Sequence, residues 1–122
     1  GKEAWDAVSA PYMNDEAKAD FAAAMPFPEH FDQEVYSAKW VDLGARIKAA
    51  LPLDPASAAA RAFLAEWNEL LAPFTAIATP AMAQGVKAMY DDMPNWQQGS
   101  PSPGFDHEVW QFVMATAAAA KA

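Results

Sequence analysis

The chain has 122 residues, enough for one domain with a core of its own, and its 53% hydrophobic and 20% charged residues give a globular balance. A net charge of −8 argues against direct contact with nucleic-acid phosphates or an anionic membrane surface. With no cysteine, disulfides, zinc–thiolate sites and thiol nucleophiles are excluded.

About a quarter of the residues are alanine, the best helix former, and β-branched residues are scarce. The composition therefore predicts an all-α chain. Residues 2–8 form a short helix ended by Pro11. Asn14 caps the next, DEAKADFAAAM, whose Asp15 and Glu16 suit a helix N-terminus and which Pro26 and Pro28 stop. The apolar face of this early region is mostly alanine, so residues 1–30 are expected to pack least firmly. A longer helix follows over residues 31–51, with Trp40, Leu43, Ile47, Ala50 and Leu51 at helical spacing and Phe31 and Val35 extending the stripe upstream. Asp42 and Arg46 form an i,i+4 pair, and Pro52 ends the helix. Asp54 as N-cap and Pro55 as first residue open the next, which carries Phe63, Leu64, Trp67, Leu70, Leu71 and Phe74 until Pro73 kinks or ends it. Thr79 and Pro80 repeat that start, with Met82, Val86, Met89, Tyr90 and Met93 on one face before Pro94. NWQQGSPSPG reads as a loop. Asp106 caps the last helix, with Phe105 and Trp110 at the two positions of a hydrophobic staple and Val109, Trp110, Val113, Met114 and Ala117 facing inward. The AAAAKA tail is expected to fray.

Few residues offer chemistry. His30 and His107 are the only histidines. His30 and Glu34 share a helix face, but two groups do not make a metal site, and both histidines read as surface residues. Asp91 and Asp92 diverge by about 100° on a helix, too far to share a proton, and read as a solvated helix end. No GxSxG, P-loop or GxGxxG motif occurs. No catalytic residue, metal site or cofactor is expected, and the chain is not expected to be an enzyme. The informative residues are five Trp, seven Phe and three Tyr, with six adaptable Met. Most serve the core. Trp96, beside a polar loop and off any helix stripe, either caps the core edge or lines a cleft. Tyr36, Trp40 and Tyr90 carry polar handles that favour partly wet positions. Gly44 and Gly85 fall on apolar helix faces at a cost of about 1 kcal/mol each relative to Ala. Each implies a close helix crossing or room for a ligand.

Several segments together resemble the TipAS-type antibiotic-recognition domain of MerR-family transcription regulators: YSAKW at 36–40, LDPAS at 53–57 leading into FLAEWNELLAPF, AMYDDMPNW at 88–96 and GFDHEVWQFV at 104–113. The likeness covers about residues 31–120. It implies a compact globin-like helical bundle of about five helices around an aromatic cleft. It implies a bulky apolar drug-like or peptide ligand, antibiotic-like in character. It also implies a DNA-binding domain and a dimerising coiled coil that lie outside this chain, so DNA would be reached only through that other domain and the full-length protein would be a homodimer. Gly1 in place of Met fits an excised domain. Helices near the N-terminus of such domains order when ligand binds, a property expected of residues 1–30, with residues 31–122 as the ligand-binding domain. Covalent capture of electrophilic peptide antibiotics by a cysteine is closed to this chain, so binding is expected to be reversible.

The expected ligand-binding residues are Trp40, Trp96 and Trp110 for stacking, with Tyr36, Tyr90 and Met93 shaping the walls. The competing reading is a protein-interaction module that accepts a partner's amphipathic helix in the same groove. No segment approaches the roughly 20 apolar residues of a membrane span, and GKEAWDAV lacks a signal-peptide layout. A cytoplasmic location is expected.

Overall fold

Side-chain caps set most helix starts. The structure, a computed structural model, describes residues 2–24, 31–99 and 101–122. Among these residues there are six α-helices and no strand, one for each helical segment read along the sequence and one more than the roughly five of the bundle that the resemblance implies. They are α1 (Lys2–Ser9), α2 (Asp15–Ala23), α3 (Gln33–Ala50), α4 (Ala58–Thr75), α5 (Pro80–Asp91) and α6 (His107–Lys121). Asn14, Thr79 and Asp106 cap α2, α5 and α6 as expected, accepting from the N–H of Ala17, Met82 and Val109 at 2.7, 3.3 and 2.9 Å. Asp32 caps α3 in the same way.

The start of α4 differs from expectation. Asp54 accepts from the N–H of Ala56, only two residues on, and the Ser57 N–H donates to the Asp54 carbonyl, so DPAS is a turn. Ser57 is the cap: its hydroxyl oxygen accepts from the Ala60 N–H at 3.1 Å. Pro73 neither ends nor interrupts α4, which continues to Thr75. The alanine tail is helical through Lys121. The stops expected at Pro26 and Pro28, and His30, lie outside the described residues. Helix α2 closes at Ala23.

The chain divides into two units. The first joins Gly1–Phe31 with Pro73–Ser102. Its axis is α5, whose buried face is Ala81, Met82, Gly85 and Met89. Met93, in the 3-10 turn Met93–Asn95 that follows, is fully buried. Helix α2 packs on α5, and Ala17 is its buried residue. The Thr79 hydroxyl donates to Asp20 of α2. The Gly85 notch has a packing cause: a Cβ built there would lie 2.3 Å from the Met13 sulfur.

The second unit joins Asp32–Ala72 with Pro103–Ala122. Its core is Leu43, Ile47, Ala60, Trp67, Phe105, Val109, Trp110, Phe112 and Val113. Phe112 and Thr116 are buried although the expected inward face of α6 omitted them, whereas Met114 and Ala117 are only half-buried. The buried Thr116 hydroxyl is satisfied by donating to the Phe112 carbonyl. Val35 does not extend the α3 stripe: it is 50% exposed. Gly44 also has a packing cause, since a Cβ there would meet the Gly104 carbonyl oxygen at 2.3 Å.

Two ion-pair groups brace this unit. Arg46 grips both oxygens of Glu66 at 3.0 and 2.8 Å and also Asp42 at 2.9 Å. Lys48 reaches Asp106 at 2.6 Å and Glu108 at 2.8 Å. The Arg46 guanidinium holds the Glu66 carboxyl below its ordinary value. Burial pushes the Asp106 carboxyl up, but the Lys48 ammonium and the Val109 N–H together outweigh it and leave that group lowered too. A carboxyl whose folded value is depressed adds stability above its unfolded value, about 4, and that stability is lost as pH falls through the folded value. Thermal stability should therefore decline on acidification below about pH 4. Asn caps a helix as well as Asp does, so Asp106→Asn keeps the cap and removes the charge. Thermal melts at stepped pH should show a shallower acid decline for this variant. Identical slopes would mean that the Lys48 pair contributes nothing.

Candidate functional site

Aromatic side chains collect in each unit separately. In the second, the Trp67 ring lies 4.8 Å from Trp40 at 80° and 4.8 Å from Phe105 at 58°. Trp110 is 6.2 Å from Trp67 and stacks on Phe105 at 15°, so the expected staple forms. Tyr36 meets Trp40 edge-on at 6.2 Å, and its hydroxyl donates to the Leu70 carbonyl at 2.7 Å, one turn before Pro73. Burial grades this cluster. Trp67, Phe105 and Trp110 are 3%, 8% and 7% exposed, whereas Tyr36 and Trp40 are half-buried.

In the first unit, Trp96 is central. Its indole N–H donates to the Met89 carbonyl at 2.8 Å, near the C-terminus of α5, which pins the ring across the helix end. Trp5 of α1 meets it edge-on at 5.9 Å, and Tyr90 lies tilted at 6.0 Å. All three rings are half-buried. Beside them the Tyr12 hydroxyl donates to Asp92, and that hydrogen bond raises the phenol above its ordinary value. Asn95 donates to the other oxygen of Asp92 at 2.6 Å. Asp91 pairs with Lys87 at 2.6 Å. The two neighbouring carboxylates thus serve different partners, as their divergence on the helix requires.

Of the six residues singled out from the sequence, Tyr36, Trp40 and Trp110 fall in the second unit and Tyr90, Met93 and Trp96 in the first. Within each unit they gather: Tyr36 and Trp40 share the cluster that holds Trp110 through Trp67, and Tyr90 touches Trp96. Trp110 and Met93 are packed inside, and the other four keep accessible ring surface. Trp5 was missed. Its signal was the half-buried sequence Trp5, Val8, Tyr12, spaced as one helix face, in a segment read only as a short helix.

No group of three or more His, Asp or Glu is placed to hold a metal ion among the described residues. What the geometry gathers is ring surface, which recognises apolar or ring-bearing molecules by stacking and by removal from water. Such surface is of the type that recognition domains use. Comparison with known families assigns the chain: residues 6–113 match the TipAS antibiotic-recognition domain, and the chain belongs to that family. The match begins well upstream of residue 31, so most of the N-terminal segment is part of the family's domain. Searches of curated proteins and of solved structures gave no match. No helix among the described residues is long and apolar enough to cross a membrane.

Proposed function

We propose that this chain is the effector-sensing domain of a cytoplasmic MerR-family transcription regulator. It binds bulky apolar drug-like or peptide ligands reversibly and relays binding to a DNA-binding domain outside this chain, in a protein that dimerises through a coiled coil. The helices would follow a globin-like arrangement. The observation that carries this reading is the family match, over most of the chain, to a domain for antibiotic recognition. The half-buried rings support it: Tyr36 and Trp40 on one unit, and Tyr90 and Trp96 on the other, offer faces to which a ligand would stack. Trp110 and Met93 are buried, so they would act through the packing of their own unit and not by direct stacking. Without a thiol, capture is non-covalent. Stacking on ring faces reads apolar surface more than a hydrogen-bond pattern, which favours broad over narrow ligand selection.

Residues 1–30 would be the relay. Trp5 lies on Trp96, Tyr12 on Asp92, and Asp20 on Thr79, so a ligand at Trp96 bears on the packing of the N-terminal helices. It shifts them only by its differential affinity for the two states. A screen of polycyclic and peptide antibiotics by tryptophan fluorescence and hydrogen exchange tests both parts. Binders should quench or shift the indole emission and slow exchange in residues 2–24. Silence across chemically diverse compounds, with slow exchange already present without them, would refute the reading.

A second reading is a module for a partner's amphipathic helix. It draws on exposed apolar side chains of each unit by itself, Phe21 and Ile77 on the first and Val35 and Val41 on the second. A stoichiometric protein partner that small ligands do not displace would favour it.

A further inference from the structure

We propose that Met13 is an oxidation-sensitive modification site, and that its conversion to the sulfoxide loosens residues 10–24 from α5. The inference is independent of any ligand. With no cysteine, the thioethers are the only sulfur in the chain, and mild two-electron oxidants such as hydrogen peroxide attack them. Burial sorts these targets. Met82, Met89 and Met93 lie inside the first unit, whereas Met13 in that unit and Met114 in the other are half-buried.

Met13 also occupies a position where added polarity matters. It follows the 3-10 turn Ala10–Tyr12, and its sulfur fills the notch at Gly85, where a Cβ would lie 2.3 Å from Sδ and 3.2 Å from Cε. The sulfur is therefore pressed on the backbone of α5, whose N–H groups serve the helix ladder. In the reaction the sulfur lone pair attacks peroxide. The O–O bond breaks, an S–O bond forms, the sulfur loses two electrons and the peroxide leaves as water. The product is larger and carries a strong acceptor. In the Gly85 notch that oxygen faces a buried apolar helix surface, and an acceptor held there without a donor is destabilised. Turning it to water means withdrawing Met13 from the notch. The bonds from Tyr12 to Asp92 and from Thr79 to Asp20 hold the same segment at other points, so the response is local opening and not unfolding.

The test uses the chain with Met25→Leu and Met114→Leu, volume-conserving changes that leave Met13 and the three buried methionines. Graded peroxide is followed by peptide mass mapping and by backbone hydrogen exchange. Met13 should oxidise about tenfold faster than Met82, Met89 and Met93. Exchange in residues 10–24 should then rise about fivefold or more, with α6 unchanged. Adding Met13→Leu should abolish the rise. The proposal is overturned if Met13 reacts no faster than the buried three, if its full oxidation leaves exchange in residues 10–24 unchanged, or if Met13→Leu responds to peroxide in the same way.

Discussion

Replacing Trp67 with Ala should cost about 3–5 kcal/mol of stability, and should lower the melting temperature by about 10 °C or more. Trp67 is 3% exposed and touches the rings of Trp40, Phe105 and Trp110. The loss combines transfer of a large apolar side chain to water with the cavity left among three rings too bulky to collapse into it. Tilted and edge-on ring pairs add about 0.5–1.5 kcal/mol each beyond their area. Trp67→Phe keeps a ring and should recover a large part of the loss. Denaturant melts of both variants check this. A small effect for the Ala variant would mean that the cluster has room to close, contrary to the packing described.

Gly104→Ala should be the other severe change, at about 2–4 kcal/mol. Gly104 has φ +95, in the left-handed region that disfavours a side chain. A Cβ there would also lie 2.9 Å from the Val41 nitrogen and 3.0 Å from the Trp40 carbonyl carbon. Its neighbour across the contact gives the useful comparison. Gly44→Ala gains about 1 kcal/mol of helix propensity, yet meets the Gly104 carbonyl oxygen at 2.3 Å, and backbone does not rotate away. Overpacking of about 1–3 kcal/mol should outweigh that gain. Gly85→Ala should be milder than either, because its chief obstacle is the flexible end of Met13. Denaturant midpoints that rank Gly85→Ala as the most damaging of the three would contradict this reading of the contacts.

What could be read in the sequence was what local chemistry decides. Asn14, Thr79 and Asp106 cap helices because a short polar side chain reaches its own backbone within three residues. The Phe105–Trp110 staple follows from the same short range. Asp54 misled because Asp-Pro opens helices and turns alike, and Ser57 three residues on offered the better cap. The alternation of exposed and buried positions on α6 was only partly legible. Phe112 and Thr116 stand at i+3 and i+7 from Val109 and so complete a helical stripe with Val113, which the choice of Met114 and Ala117 as inward residues passed over. The spacing of Trp5, Val8 and Tyr12 marked a helix face, but the partner of Trp5, Trp96, lies far along the chain, where no local pattern points to it. Tyr36 and Trp40 were readable as partly wet rings from their polar handles, but burial of Trp110 and Met93 depends on the whole core.

The family assignment and the accessible rings meet in one claim, that half-buried indoles hold a bulky apolar guest without a covalent bond. Equilibrium dialysis of polycyclic and peptide antibiotics against the chain, its Trp96→Ala form and its Trp40→Ala form measures this directly. The account predicts saturable uptake that washes out fully on dilution, and a loss of affinity of about tenfold when the ring that carries the stacking is removed. Uptake that does not saturate, or saturable uptake indifferent to both substitutions, would contradict it.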